Sequence, residues 1–185
     1  MKKKLLLVII VIIGTSVLTY GEAPSIDRYI GTKTPQQNLD EEQGWIRKAP
    51  EEYRNILRSA QYKYQLPEEL VYCLATIESN WDEKAISHAN CQGLTQINVK
   101  HLDWLVEKFW SYNTEFDPMN GKHSLMLGLH YLSWLRSQTH NWEQALISYN
   151  SGLGTLKNFL ESGKDLPQET INYIKKFEKL GVNFS

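Results

Sequence analysis

Apolar positions recur at three- and four-residue spacing through most of the chain beyond residue 45, and proline or glycine punctuates the joints between the runs. In APEEYRNILRSAQYKYQ, Pro50 opens a predicted helix, two acids fill its first turn, and Tyr53, Ile56, Leu57, Ala60 and Tyr64 share one face. The segment PEELVYCLATIES repeats the device with Pro67, Glu68 and Glu69, and sets Leu70, Cys73, Leu74 and Ile77 on a stripe. Further helices are predicted over 96–110, 122–137, 142–149, 153–161 and 168–180, with Leu125, Leu129, Leu132 and Leu135 as a core stripe. Alternating β-branched runs are missing, apart from a short strand candidate in the loop after Glu78. The pattern predicts a mostly α, single compact helical domain over 46–185.

The first residues, MKKKLLLVIIVIIGTSVLTYG, run from three lysines through an apolar stretch to small residues, which is the order of a secretory signal over 1–21. An uncleaved N-terminal membrane anchor is the alternative, since the apolar character continues with breaks to Tyr20. Either reading sends the remainder out of the cytosol, to the periplasm or cell envelope. Residues 22–45 are polar and turn-rich and read as a lead-in or tether, or as an arm packed through Ile26, Tyr29 and Ile30.

Charge changes the picture by exclusion. A net charge of -1 offers no basic field for a polyanion, so nucleic acid is not an expected partner. The five histidines form no His-Glu-x-x-His pattern or tight ligand pair, so neither metal nor cofactor is expected. Cys73 and Cys91 are the two cysteines. In an oxidising compartment they could bridge, or Cys73 could be a small buried hydrophobe of its helix.

Glu78 carries the candidate chemistry. It ends an apolar helical run between Ile77 and Trp81, where poor hydration would raise its pKa and make it a general acid near neutral pH. A solvated helix-end glutamate, or one paired with Lys84, is the plainer alternative. The following loop, AISHANCQGLTQI, supplies short hydrogen-bonding side chains and a glycine that permits close backbone approach, as a sugar ring with hydroxyl and acetamido groups requires. Asp82 and Glu83 are the nearest second carboxylates, with Asp82 expected in solvent once the helix stops near Asn80, and Asp117 reads as a turn or cap residue.

The segments ESNW, AISHANCQGLTQI, FDP, ALISYNSGLG and LPQETINYI, in that order, resemble the lytic transglycosylase family related to soluble lytic transglycosylases and goose-type lysozymes. The resemblance covers roughly residues 50–177. It implies a lysozyme-like fold and cleavage of the bond between N-acetylmuramic acid and N-acetylglucosamine in peptidoglycan, with closure of a 1,6-anhydro ring. Glu78 matches the family's single catalytic acid and base. Ser87 and Gln96 match residues that line the sugar cleft, and Tyr149 and Asn150 match the pair around the catalytic carboxyl. Tyr173 matches a tyrosine that reaches the cleft, and Glu169 a structural or subsite glutamate.

The chain departs from the family pattern at Asn90-Cys91, where Gly-Ala is usual, at Thr95, where Met is usual, and at Ser124, which stands for an Asn. Peptidoglycan strands are the expected partner, the protein a monomer, with targeting by an envelope assembly or secretion machine as a further expectation. The alternatives are a lysozyme-type hydrolase acting through Glu78 and a water, and a non-catalytic glycan-binding assembly protein.

Overall fold

The structure is a computed structural model and describes residues 44–184. Its helices are α1 (Glu51–Tyr64), α2 (Glu68–Ser79), α3 (Leu102–Phe109), α4 (Gly121–Ser137), α5 (Trp142–Ser151), α6 (Leu153–Ser162) and α7 (Gln168–Lys179). Between α2 and α3 lie two short strands, β1 (Cys91–Gln92) and β2 (Ile97–Asn98). The predicted signal or anchor and most of the lead-in lie outside the described residues. Among the described residues, no helix is long and apolar enough to cross a membrane.

Local chemistry sets the helix starts. Pro50, Pro67 and Pro167 precede α1, α2 and α7 with φ fixed near -55°, and acids follow in each first turn, where they meet the positive end of the helix dipole. Asn120 caps α4 by accepting from the Lys122 and His123 amides, and Asn141 caps α5 by accepting from that of Gln144. The helix predicted over 96–110 begins late. Gln96 sits in the left-handed region at φ 49°, and Ile97 and Asn98 pair antiparallel with Gln92 and Cys91 instead. A 3₁₀ turn over Val99–His101, with Asn98 accepting from the Lys100 amide, then leads into α3.

Helix α4 is the central element. Its residues from Ser124 to Leu129, together with Leu132 and Leu135, are buried, and α1, α3 and α5 pack against it. The stripe of α1 predicted from spacing is buried in full, as are Leu70, Cys73 and Leu74 of α2. Ile77, assigned to the same stripe, is only partly buried, because α2 ends there and its last turn opens onto a cleft. Cys73 and Cys91 are both free thiols in the structure. Cys73 is buried on α2, and Cys91 is half-buried on β1.

The loop between α2 and α3 is locked onto α4. The Thr95 amide donates to Ser124 Oγ at 3.1 Å, and Thr95 Oγ1 donates to the Ser124 carbonyl at 2.9 Å, with all of these groups buried. A side chain at Gly128 would run into the Thr95 side chain, and one at Gly93 into the Pro118 carbonyl, so only glycine permits these close approaches. Gly93 also has φ +76°, which L side chains adopt only with strain. Gly93→Ala is therefore expected to destabilise the domain by about 2 kcal/mol or more, read as a lowered melting temperature in thermal unfolding.

Candidate active site

Helix α2 delivers Glu78 and then stops abruptly. Asn80 (φ 51°) and Trp81 (φ 66°) are both left-handed, and their amides return to Thr76 and Ala75 at 3.2 and 3.4 Å, closing the orphan carbonyls of the helix end. The Trp81 indole donates to Thr76 Oγ1 at 3.0 Å and stacks on Tyr53, which holds an unfavourable backbone in place. Of the non-glycine residues with positive φ among those described, Asn80, Trp81, Asn90 and Gln96 fall in this loop and only Gln65 falls elsewhere.

The turn decides which carboxylates stay near Glu78. Asp82 is thrown into solvent, as expected for a helix ending at Asn80. Glu83 accepts from Tyr53 Oη at 3.0 Å and from the Gly121 amide at 3.2 Å, so it ties α1 to the start of α4 and is held below the usual carboxylate range chiefly by the tyrosine. Lys84 donates to the Met119 carbonyl and pairs with Glu83, so it is not the partner of Glu78. Asp117 is a turn residue: its carboxylate accepts from the Met119 amide at 2.8 Å.

The partner of Glu78 comes from the far end of the chain. Tyr173 Oη, on α7, donates to Glu78 Oε1 at 2.6 Å. No other hydrogen bond to the carboxyl forms among the described residues, so Oε2 is unpaired, and Glu78 lines a cleft. Burial pushes the Glu78 pKa up to about 7, against smaller opposing effects of the Tyr173 bond and the Lys176 charge. Burial and the neighbouring Glu78 push the Tyr173 phenol well above its ordinary value, so it remains a donor across the neutral range. Tyr149 is raised for the same two reasons, and its Oη donates to the Thr95 carbonyl at 2.8 Å.

Glu78 lies in a cleft of about 1370 Å³. That exceeds the roughly 300–1,000 Å³ of a small-molecule pocket and suits a polymer strand. Ser87, Gln96, Tyr149, Asn150, Glu169 and Tyr173 all line it, as does Cys91. Ser87 Oγ accepts from the Cys91 amide at 3.0 Å, and Gln96 Nε2 donates to the Ala85 and Gly93 carbonyls at 3.2 and 3.0 Å, so both brace the loop they line. Asn150 is oriented by Thr170 Oγ1, which donates to its Oδ1 at 2.9 Å. Glu169 is exposed on the α7 wall.

Several lining residues escaped the sequence reading. Lys176 could have been found from Glu169 and Tyr173, since residues seven and three positions earlier on α7 share its face, and Asn172 completes that polar wall. Trp104 and Tyr131 form an opposing aromatic side that required knowing how α3 meets α4. Ser148 also lines the cleft, and its Oγ is buried without a hydrogen-bond partner.

A lysozyme-like helical domain with one desolvated glutamate at a helix end, facing a long cleft, defines the class. Residues 55–172 match the transglycosylase SLT domain family, to which the chain belongs. It is 27% identical over 139 residues to membrane-bound lytic murein transglycosylase C of Cronobacter sakazakii and 28% over 138 residues to that of Klebsiella pneumoniae. Those matches take in 69% and 68% of this chain but 38% of each relative, so the chain spans about two fifths of their length. An inactive mutant of lytic transglycosylase Slt from Pseudomonas aeruginosa matches with a TM-score of 0.61 at 21% identity, over 69% of this chain and 23% of that one. The 70 kDa soluble lytic transglycosylase of Escherichia coli matches with a TM-score of 0.60 at 22% identity, over 68% of this chain and 22% of that one. These two likenesses establish the fold.

The raised Glu78 pKa has a stability consequence. The folded protein holds the Glu78 proton that the unfolded chain releases between pH 4.5 and about 7, so this residue costs stability progressively over that range. Glu78→Gln is expected to melt several degrees above wild type at pH 8, a difference of up to ~3 kcal/mol, and to match it below pH 4.5 in parallel melts. Tyr173→Phe removes the bond that favours the charged form. It should carry the Glu78 pKa above about 7, read in a carboxyl-carbon NMR titration.

Proposed function

We propose that this chain is a peptidoglycan lytic transglycosylase that cleaves the N-acetylmuramic acid to N-acetylglucosamine β-1,4 bond and leaves 1,6-anhydro ends. The observation that carries the reading is Glu78: a carboxyl that lines the cleft and is pushed up to about 7 by burial, with Tyr173 on one oxygen and the other unpaired. Family membership and the fold support it, as do the relatives named lytic murein transglycosylases.

Near neutral pH a substantial fraction of Glu78 is protonated, with the proton on Oε2 because Oε1 accepts from Tyr173. That proton passes to the glycosidic oxygen as its bond to the muramic acid C1 breaks, and the 2-acetamido group stabilises the positive centre. The Glu78 carboxylate then takes the proton of the muramic acid 6-hydroxyl, whose oxygen bonds to C1 and closes the anhydro ring. The acid is thereby regenerated, and no water is consumed.

One carboxyl serves both steps, whereas ordinary glycoside hydrolysis uses two at set separations of about 5 to 9.5 Å. Asp82 and Glu83, the near candidates in sequence, are engaged elsewhere or solvated. Tyr173 holds the carboxyl in register through the cycle, and Tyr149, Asn150, Ser87, Gln96 and Glu169 bind and orient the strand. The protein acts in the cell envelope after export, as a monomer directed to its site by an envelope assembly.

The test is mass spectrometry of muropeptides released from purified peptidoglycan by wild type and by Glu78→Gln. Products lighter by one water than hydrolytic muropeptides, and absent with the variant, are expected. Wild-type activity should also fall as pH rises through about 7, when the acid form is lost. Glu78-dependent products with reducing ends would replace the reading by hydrolysis, and products unaffected by Glu78→Gln would remove Glu78 from the chemistry.

A further inference from the structure

The chain has six tryptophans, and five of them are half-buried. Trp104, on α3, is the exception at 45% exposed, and it lines the Glu78 cleft. What sets this ring apart from other exposed apolar groups is its place in the concave cleft, where a ligand can cover it. This ring is also fixed. It meets Phe109, Tyr131 and Trp134 nearly perpendicularly, with centroids 5.7, 6.2 and 5.8 Å away and interplanar angles of 88°, 88° and 72°. Such edge-to-face contacts hold its orientation without enclosing it.

The ring is connected to the reacting end of the cleft. Tyr131 touches Trp104 on one side and Tyr149 on the other, the latter at 5.5 Å, and Tyr149 is the buried phenol whose electrostatic neighbour is Glu78. The Trp104 indole N–H donates to no described residue. Lys108 places its ammonium over the Trp104 ring, 4.9 Å from the centroid, and over Trp134 at 4.0 Å, a cation–π pairing that takes up one face of the indole.

From this geometry we propose that Trp104 is the floor of a remote sugar subsite, on which a pyranose ring of the glycan strand stacks by its apolar face, beyond the sugars that flank the cut bond. This rests on the carbohydrate reading of the cleft. The axial C–H groups of a β-linked sugar lie against the indole face turned away from Lys108, and its equatorial hydroxyls remain free for the indole N–H. A preset platform of this kind costs little ordering entropy on binding. It makes the enzyme favour strands long enough to reach from Glu78 to α3.

The experiment is calorimetric titration of the linear β-1,4 N-acetylglucosamine hexamer into Glu78→Gln, which cannot turn it over, and into the same protein carrying Trp104→Leu or Trp104→Phe. Leucine keeps the apolar filling of the ring cluster but has no π face. The Leu variant should bind about tenfold more weakly and the Phe variant by an intermediate factor, at melting temperatures close to the parent. Saturating hexamer should shift the tryptophan emission of the parent, and the Phe variant should lose most of that shift. A merely structural role for Trp104 would lower the melting temperature and leave affinity and the emission shift untouched, which overturns the subsite. If the Glu78→Gln parent itself binds no hexamer, the carbohydrate reading of the whole cleft falls and the subsite with it. Equal affinity of parent and Leu variant removes the Trp104 subsite alone.

Discussion

The bond from Tyr173 to Glu78 joins residues 95 positions apart and fixes where the two ends of the domain meet. Neither group is at home there on its own. The carboxyl loses hydration and resists ionising, and the phenol loses hydration and resists giving up its proton. Each is acceptable because the other is present: a phenol that stays protonated is a permanent donor, and a carboxyl with one oxygen so engaged keeps its other oxygen unpaired. Helix α7 must therefore seat on α5 and reach α2 before Glu78 has a defined chemistry. Folding and acid strength are coupled at this one contact.

The same economy appears in the loop that follows. Two departures from the family pattern that lie 29 positions apart, Thr95 and Ser124, face each other and exchange hydrogen bonds. A small polar pair replaces a larger apolar side chain and an amide, and it keeps the buried backbone amide of Thr95 satisfied. The Thr95 carbonyl then receives the Tyr149 hydroxyl, so a single residue links α4, the loop and α5. Gly128 and Gly93 are required because this junction leaves no room for a side chain on either surface. The departures fall where the loop is held against α4.

The two walls of the cleft differ in kind. Helix α7 offers Glu169, Asn172, Tyr173 and Lys176, a stripe of polar groups one helical face wide. The side built from α3 and α4 offers Trp104, Leu105 and Tyr131. A pyranose strand is likewise two-sided, with hydroxyl and acetamido groups around its rim and apolar faces between them, so the chemistry of the walls matches that of the ligand proposed for them.

Much of this was legible in the chain itself. Prolines before apolar runs located the starts of α1 and α2, the three-and-four spacing located the core faces of α1, α2 and α4, and the order of short motifs picked out Glu78, Tyr149, Asn150 and Tyr173. These features are local, because caps and helical faces are written in residues a few positions apart. The late start of α3 was not legible, since it depends on Gln96 turning left-handed and on Ile97 pairing back to Gln92. Spacing alone put Ile77 in the core, yet where a helix end opens is decided by what packs beyond it. Tertiary structure likewise decided that Lys84 belongs to Met119 and Glu83 and that Trp104 joins Glu78 in one cleft. Sequence determines which groups a segment can present, and only the packing of distant segments determines which water they lose and whom they meet.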